Sequence, residues 1–128
     1  MKDETKTWID YANDNLESSK LLLNSDLYNP CLQNVQQAVE KALKAILIEK
    51  AIKLKRTHNI LEIKYLLQAN AIELNISDDA CDFLNTIYLP SKYPIGSVLA
   101  EYEPDEKVCQ DAITIAEKVF ESVQHFLR

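Results

Sequence analysis

The feature that most constrains this chain is its shortage of glycine: Gly96 is the only one in 128 residues. Tight β-hairpins and bulges need backbone at positive φ, which glycine supplies and which Asn-Gly or Asp-Gly pairs signal. Neither pair occurs here, so a many-stranded fold is improbable from the outset. What fills the chain instead is an apolar pattern of helical period, carried almost from end to end. The length suits one hydrophobic core and is too short for two, so a single helical domain over residues 1–128 is expected.

Trp8, Ala12, Leu16, Ser19, Leu22 and Leu23 recur at three- and four-residue steps and predict a first helix, closed by Asn24, Ser25 and Asp26. Asn29 suits the N-cap of a second helix and Pro30 its first turn, where a missing N–H costs nothing. Its stripe is Leu32, Val35, Val39, Ala42, Leu43, Ile46 and Leu47, running to about Ala51, and Ala38, Ala42 and Ala45 leave room for another helix to come close. After a basic connector at 53–57 (KLKRT), a third helix is expected from Thr57 or His58 to about Ala71. Ser77, Asp78 and Asp79 open a fourth, with Ala80, Leu84, Ile87 and Tyr88 facing the core and Phe83 beside them. Residues 89–104 contain three of the four prolines and the glycine, which predicts one long irregular loop. Asp105 and Glu106 then start a last helix whose apolar positions run from Val108 through Ala112, Ile115, Ala116, Val119, Phe120, Val123 and Phe126 to Leu127. The expected fold is all-α: an antiparallel up-and-down bundle of about five helices, three long and two short.

The net charge of −6 repels polyanions, so high-affinity binding to double-stranded DNA is not expected, although a few lysines on one face can still hold a nucleotide. No run of about 18 apolar residues exists, so no membrane span is expected, and charged residues 1–7 do not read as a signal peptide. Cys31, Cys81 and Cys109 are odd in number and lack Cys-x-x-Cys spacing, which fits buried thiols in a reducing, cytoplasmic setting. Two scattered histidines, His58 and His125, supply no metal site, and no cofactor is expected.

Several pieces then fall into one order. These are Trp8, Ala12 and Leu16, the string at 36–45 (QQAVEKALKA), Thr57-His58, Lys92-Tyr93-Pro94, and Ala112 with Ala116. Together they resemble the HEPN domain family, over residues 8–127. The resemblance implies a helical bundle that is usually a homodimer and often the partner of a small nucleotidyltransferase in a toxin–antitoxin-like pair. It also implies nucleotide binding and, in one large branch, ribonuclease toxins that carry an Arg followed, four to six residues on, by a His. Neither Arg56 nor Arg128 has a histidine at that distance. Lys53 before His58 and Lys118 before His125 keep the spacing, but with 14 Lys and Arg in the chain such matches arise by chance. Lysine also lacks the planar fork that grips a phosphate. Whether the chain is an enzyme is therefore open. Lys92 stands where the family more often has Arg, which keeps the charge and loses the fork.

Four places carry candidate chemistry. His58 suits acid–base work or a phosphate contact, against a plain role in anchoring its loop. Lys92 and Tyr93 put a cation beside an aromatic ring, fit for a phosphate and a base, against a Tyr-Pro turn packed on the bundle end. Gln36 and Glu40 lie one turn apart at the edge of the apolar stripe, placed to meet groups from a neighbouring chain, while Gln37, Lys41 and Lys44 point further out. Glu101, Glu103, Asp105 and Glu106 read as loop solvation and helix-dipole charges rather than a metal site. The leading expectation is a nucleotide- or RNA-binding module, its ligand held by His58, Lys92 and Tyr93 with Gln36 and Glu40. The rivals are a metal-independent endoribonuclease using His58 and a helical dimer that binds only protein.

Overall fold

The alanine-bearing second helix lies at the centre of the molecule. The computed structural model describes residues 1–53, 56–92 and 104–127. Along them run α1 (Asp3–Asn24), α2 (Tyr28–Glu49), α3 (Ile60–Ala69), α4 (Asp78–Lys92) and α5 (Glu106–Leu127), with no strand among the described residues. Thirteen of the 22 residues of α2 are buried, because it packs against all four other helices. Ala38, Ala42 and Ala45 are fully buried there, as their small size requires where helices crowd one another. Leu43, Ile46 and Leu47 join Leu16, Ile63, Leu67, Leu84, Ile87 and Val119 in one contiguous core. No helix of the described residues is long and apolar enough to cross a membrane.

Helices α1 and α2 are antiparallel and are joined at both ends. Thr5 Oγ1, at the start of α1, donates to Glu49 Oε1 at the end of α2 over 2.9 Å, and Lys2 Nζ donates to the Ile48 carbonyl over the same distance. Helix α5 runs alongside α2 in the same direction. Cys109, near its start, donates to the Tyr28 carbonyl at 3.6 Å, and Phe126, near its end, shares a cleft with Lys50 and Ile52.

Three helices end in the same way, and without glycine. At the end of α1, Asp26 (φ 58°) donates its N–H to the Leu23 carbonyl and Leu27 donates to that of Leu22. Ala51 (φ 56°) with Ile52, and Ala71 (φ 62°) with Ile72, repeat the pattern after α2 and α3. This is the Schellman motif, which places a left-handed residue just past the helix and satisfies its last carbonyls. A side chain in that region costs about 1–2 kcal/mol, so Ala51→Gly and Ala71→Gly are expected to stabilise. After the greater backbone freedom of glycine in the unfolded chain is subtracted, each gains about 0.5–1 kcal/mol. Thermal melts of the double variant should move up by roughly 3–6 °C; a lower midpoint would show that these turns do not set the helix ends.

Three boundaries differ from the sequence expectation. Leu27, without a side-chain cap, is the N-cap of α2, and Asn29 lies inside the helix. The reason is economy of chain: Leu27 closes the α1 motif and begins α2 at once, leaving no room for a separate cap. Pro30 still falls in the first turn, where it forfeits no hydrogen bond. Helix α3 begins at Ile60 because Asn59 caps it, its side chain accepting from the Glu62 N–H at 3.2 Å. Helix α4 starts as expected, with Ser77 Oγ accepting from the Ala80 N–H at 3.0 Å, but it continues through Pro90 to Lys92 instead of stopping before Leu89. Pro90 falls in the last turn of that helix, so the i→i−4 hydrogen bond it forgoes is lost where the helix is ending. Trp8 is half-buried and lies outside the core; Thr5, Ala12, Leu16 and Ser19 form the buried stripe of α1.

Candidate functional site

Along one edge of α2, polar residues replace the apolar stripe at four-residue steps. Gln36, Glu40 and Lys44 lie on one ridge of the helix, and all three are buried. They form one network. Gln36 Nε2 donates to Glu40 Oε1 at 3.1 Å and to the His58 carbonyl at 3.4 Å, while Lys44 Nζ donates to Glu40 Oε2 at 2.9 Å. Gln36 Oε1 accepts from Gln37 Nε2 at 2.8 Å. His58 Nδ1 lies 2.8 Å from Glu40 Oε1. Because a carboxylate only accepts, that nitrogen must carry the proton. Burial pushes the Glu40 carboxyl up, but the hydrogen bonds from Lys44, His58 and Gln36, with the Lys44 charge, outweigh it and hold the group below its ordinary value.

Lys44 thus turns inward, contrary to the outward orientation expected from the sequence, because the buried Glu40 carboxylate supplies its counter-charge. Gln36 and Glu40 meet His58 of their own chain, and Glu40 takes three donors. The His58 side chain is 59% exposed on its outer side. It lines a groove of about 410 Å³ with Asn15, Gln33, Asn34, Gln37 and Lys41. Within it Lys41 Nζ donates to Asn15 Oδ1 at 2.8 Å, Asn15 Nδ2 donates to Asn34 Oδ1 at 2.9 Å, and Asn34 Nδ2 donates to the Pro30 carbonyl at 2.9 Å. The Lys41 ammonium lies 5.9 Å from the ring centre of Tyr11, which is 57% exposed. A cation, four carboxamides, an imidazole and an open aromatic face are therefore gathered at one place.

The structure brings His58, Gln36 and Glu40 together, the last two forming the floor behind the first. Lys92 is the last residue of α4; its side chain and the whole of Tyr93 lie outside the described residues. So do Glu101 and Glu103 of the acidic group, while Asp105 caps the start of α5 by accepting from the Val108 N–H at 2.8 Å. Sequence reasoning missed Asn15, Gln33 and Asn34. A visible signal existed in the second helix, where Gln33, Gln37 and Lys41 form a polar line at four-residue steps beside the core.

Other polar features have internal explanations. Buried Lys64 is paired with Asp78 at 2.6 Å, and Tyr65 donates to the same carboxylate at 2.8 Å, bracing α3 against α4. A cleft of about 450 Å³ between α1 and α5 includes Lys20, but that ammonium is paired with Glu17 and Glu117, each at 3.4 Å. All three cysteines are buried and free, and burial raises Cys81 to about 11 and Cys109 to about 12, so neither is a thiolate nucleophile near neutrality. No group of three or more metal-ligating side chains occurs among the described residues.

Comparison with known proteins agrees with this architecture. The family model described as HEPN domain matches residues 5–126. No curated protein matches the sequence. Among solved structures, a protein from Thermus thermophilus superposes with a TM-score of 0.77 at 23% identity, covering 98% of this chain and 99% of that one. An archaeal HEPN homologue gives 0.70 at 22% identity, with 100% of both chains covered. A HEPN domain protein from Thermotoga maritima gives 0.72 at 23% identity, covering 94% of this chain and 97% of the other. At these identities the likeness concerns the fold.

Proposed function

The chain belongs to the HEPN domain family, and on that premise we propose that its α1–α2 groove binds a nucleotide or an RNA end. The observation that carries the reading is the convergence of Lys41, Asn15, Gln33, Asn34, Gln37 and His58 on one polar groove. Lys41 takes the phosphate, its charge suited to a single phosphate in a chain whose overall field is repulsive. The carboxamides offer donors and acceptors together, as the edge of a base requires. Tyr11, exposed beside Lys41, offers a face on which a base stacks. Volume agrees too, since small-molecule sites begin near 300 Å³ and this groove holds about 410 Å³.

Lys92 and Tyr93 remain proposed contributors to the same ligand. Asn85, two turns before Lys92 on α4, donates to Asn59 Oδ1 at 2.9 Å, so that helix lies against the residue next to His58. From the family resemblance we also propose one cytoplasmic HEPN domain that pairs as a homodimer and serves a nucleotidyltransferase in a toxin–antitoxin-like pair.

The test is calorimetric titration with the four ribonucleoside 5′-monophosphates and with short single-stranded RNAs. Lys41→Ala is expected to weaken binding of the best ligand by roughly 10- to 100-fold, the usual effect of losing a charge-assisted phosphate contact. Unchanged affinity in that variant, or no binding by the parent protein, would refute the assignment.

A further inference from the structure

We infer that Asn15 and Asn34 are positioning residues that hold the Lys41 ammonium in place at the groove before any ligand arrives. That Lys41 then meets a phosphate rests on the nucleotide-binding reading above; the hold on the ammonium does not.

The argument starts from the two ends of a chain of hydrogen bonds. Lys41 can only donate, and the Pro30 carbonyl can only accept. Between them stand two carboxamides, whose oxygen and nitrogen ends have the same shape. The ends remove that freedom. Lys41 Nζ, 2.8 Å from Asn15, must meet its oxygen, which turns Asn15 Nδ2 to Asn34 at 2.9 Å. The Pro30 carbonyl, 2.9 Å from Asn34, must meet its nitrogen, which turns Asn34 Oδ1 to Asn15. Both ends therefore demand the same sense. Turning either amide over would set donor against donor on one side and acceptor against acceptor on the other.

The chain leaves α2 at position 41, passes through α1 and returns to α2 at position 34, so the packing of the two helices fixes it. Tyr11, one turn before Asn15 on α1, adds its ring at 5.9 Å from the ammonium. An unheld lysine moves among many rotamers and loses that freedom when it grips an anion. Lys41 has lost it already, on folding. Asn15 takes one of its three N–H groups, and a phosphate needs no more than the others. The two asparagines thus act through Lys41, beyond any contact of their own with a base.

Two measurements test this. The first is carbon-13 relaxation of the lysine ε-methylene groups in the ligand-free protein, which reads the order of each side chain. Lys44, buried and paired with Glu40, is the rigid reference, and exposed Lys118 is the mobile one. Lys41 is expected to match Lys44 in the parent protein and Lys118 in Asn15→Ala. Asn34→Ala removes no partner of Lys41, yet it frees the Asn15 amide to turn and should loosen the lysine too. Lys41 as mobile as Lys118 in the parent would overturn the proposal outright, and Lys41 unmoved in Asn34→Ala would overturn the role of Asn34.

The second is calorimetric titration with the 5′-monophosphates. Asn15→Ala should weaken the best ligand by roughly 3- to 10-fold, the cost of ordering one long side chain on binding. Asn15→Asp separates order from charge. Its carboxylate still accepts from Lys41, which stays ordered, but it cancels the charge, so binding should fall by roughly 10- to 100-fold. A residue that merely supported the fold would move order and affinity together. Equal affinities in the parent and Asn15→Ala would overturn the advantage of a held lysine and leave nucleotide binding standing. No binding by the parent would overturn both, while the relaxation result would still decide the hold on Lys41. If a variant does not fold, the order of Lys41 in the parent protein decides without it.

Discussion

Glu40→Ala is expected to destabilise the fold by about 3–5 kcal/mol, the usual cost of removing one partner from a buried ion pair. The loss comes mainly from what stays behind: Lys44, whose side chain is 10% exposed, would keep its charge with no carboxylate at 2.9 Å. Gln36 and His58 would lose an acceptor as well. Adding Lys44→Met to Glu40→Ala removes the stranded charge and should recover roughly half of the loss or more, since apolar replacement of a whole buried pair is often close to neutral. Urea midpoints of the parent, single and double variants measure both effects. A single variant within about 0.5 kcal/mol of the parent would mean that the pair is solvated. The pH dependence has a definite sign. The folded-state pKa of Glu40 lies below the ordinary carboxylate value, so its contribution is present above that ordinary value, about 4.3 in the unfolded chain. It is lost as pH falls through the lower, folded value. The gap in stability between the parent and Glu40→Ala should therefore be full at neutral pH and shrink in acid.

Leu43→Ala is the second change of large effect. Leu43 is fully buried on the helix that every other helix packs against, so neighbours cannot close the space from one side alone. The expected cost is about 2–5 kcal/mol, from lost burial plus the cavity left behind. With a total stability of about 5–15 kcal/mol for a domain, that is a large fraction of the whole. Leu21, 69% exposed on α1, is the control: Leu21→Ala should stay within about 0.5 kcal/mol. Equal losses at both positions would contradict the central place given to α2.

The helices were legible in the sequence because burial in a bundle writes a 3.6-residue period directly into the chain. Leu32, Val35, Val39, Leu43 and Ile46 are all fully buried as that period requires. Helix ends were less legible. Glycine normally marks a left-handed C-terminal residue, and here Asp26, Ala51 and Ala71 take that conformation without advertising it. Ile72, Leu74 and Ile76 are buried between α3 and α4 at every second position, a short extended pattern hidden between two helical ones. Of the candidate site, His58, Gln36 and Glu40 were visible as residues but not as a network, because His58 is 18 positions from Glu40 and only the tertiary fold brings the two together. Lys44 was misplaced for the same reason: its inward turn depends on a carboxylate one helical turn away being buried. Asn15 could not be joined to Lys41 and Asn34 until α1 was laid against α2.

The most direct test of the central claim is an NMR titration that follows the side-chain amide signals while the four ribonucleoside 5′-monophosphates are added in turn. Of these signals Asn15, Gln33, Asn34 and Gln37 line the groove, whereas Gln68, Asn70 and Gln110 lie elsewhere on the surface. Saturable shifts confined to the first group are expected for at least one nucleotide, and they should disappear in Lys41→Ala. Shifts confined to the second group, or none with any nucleotide, would contradict nucleotide binding in the groove.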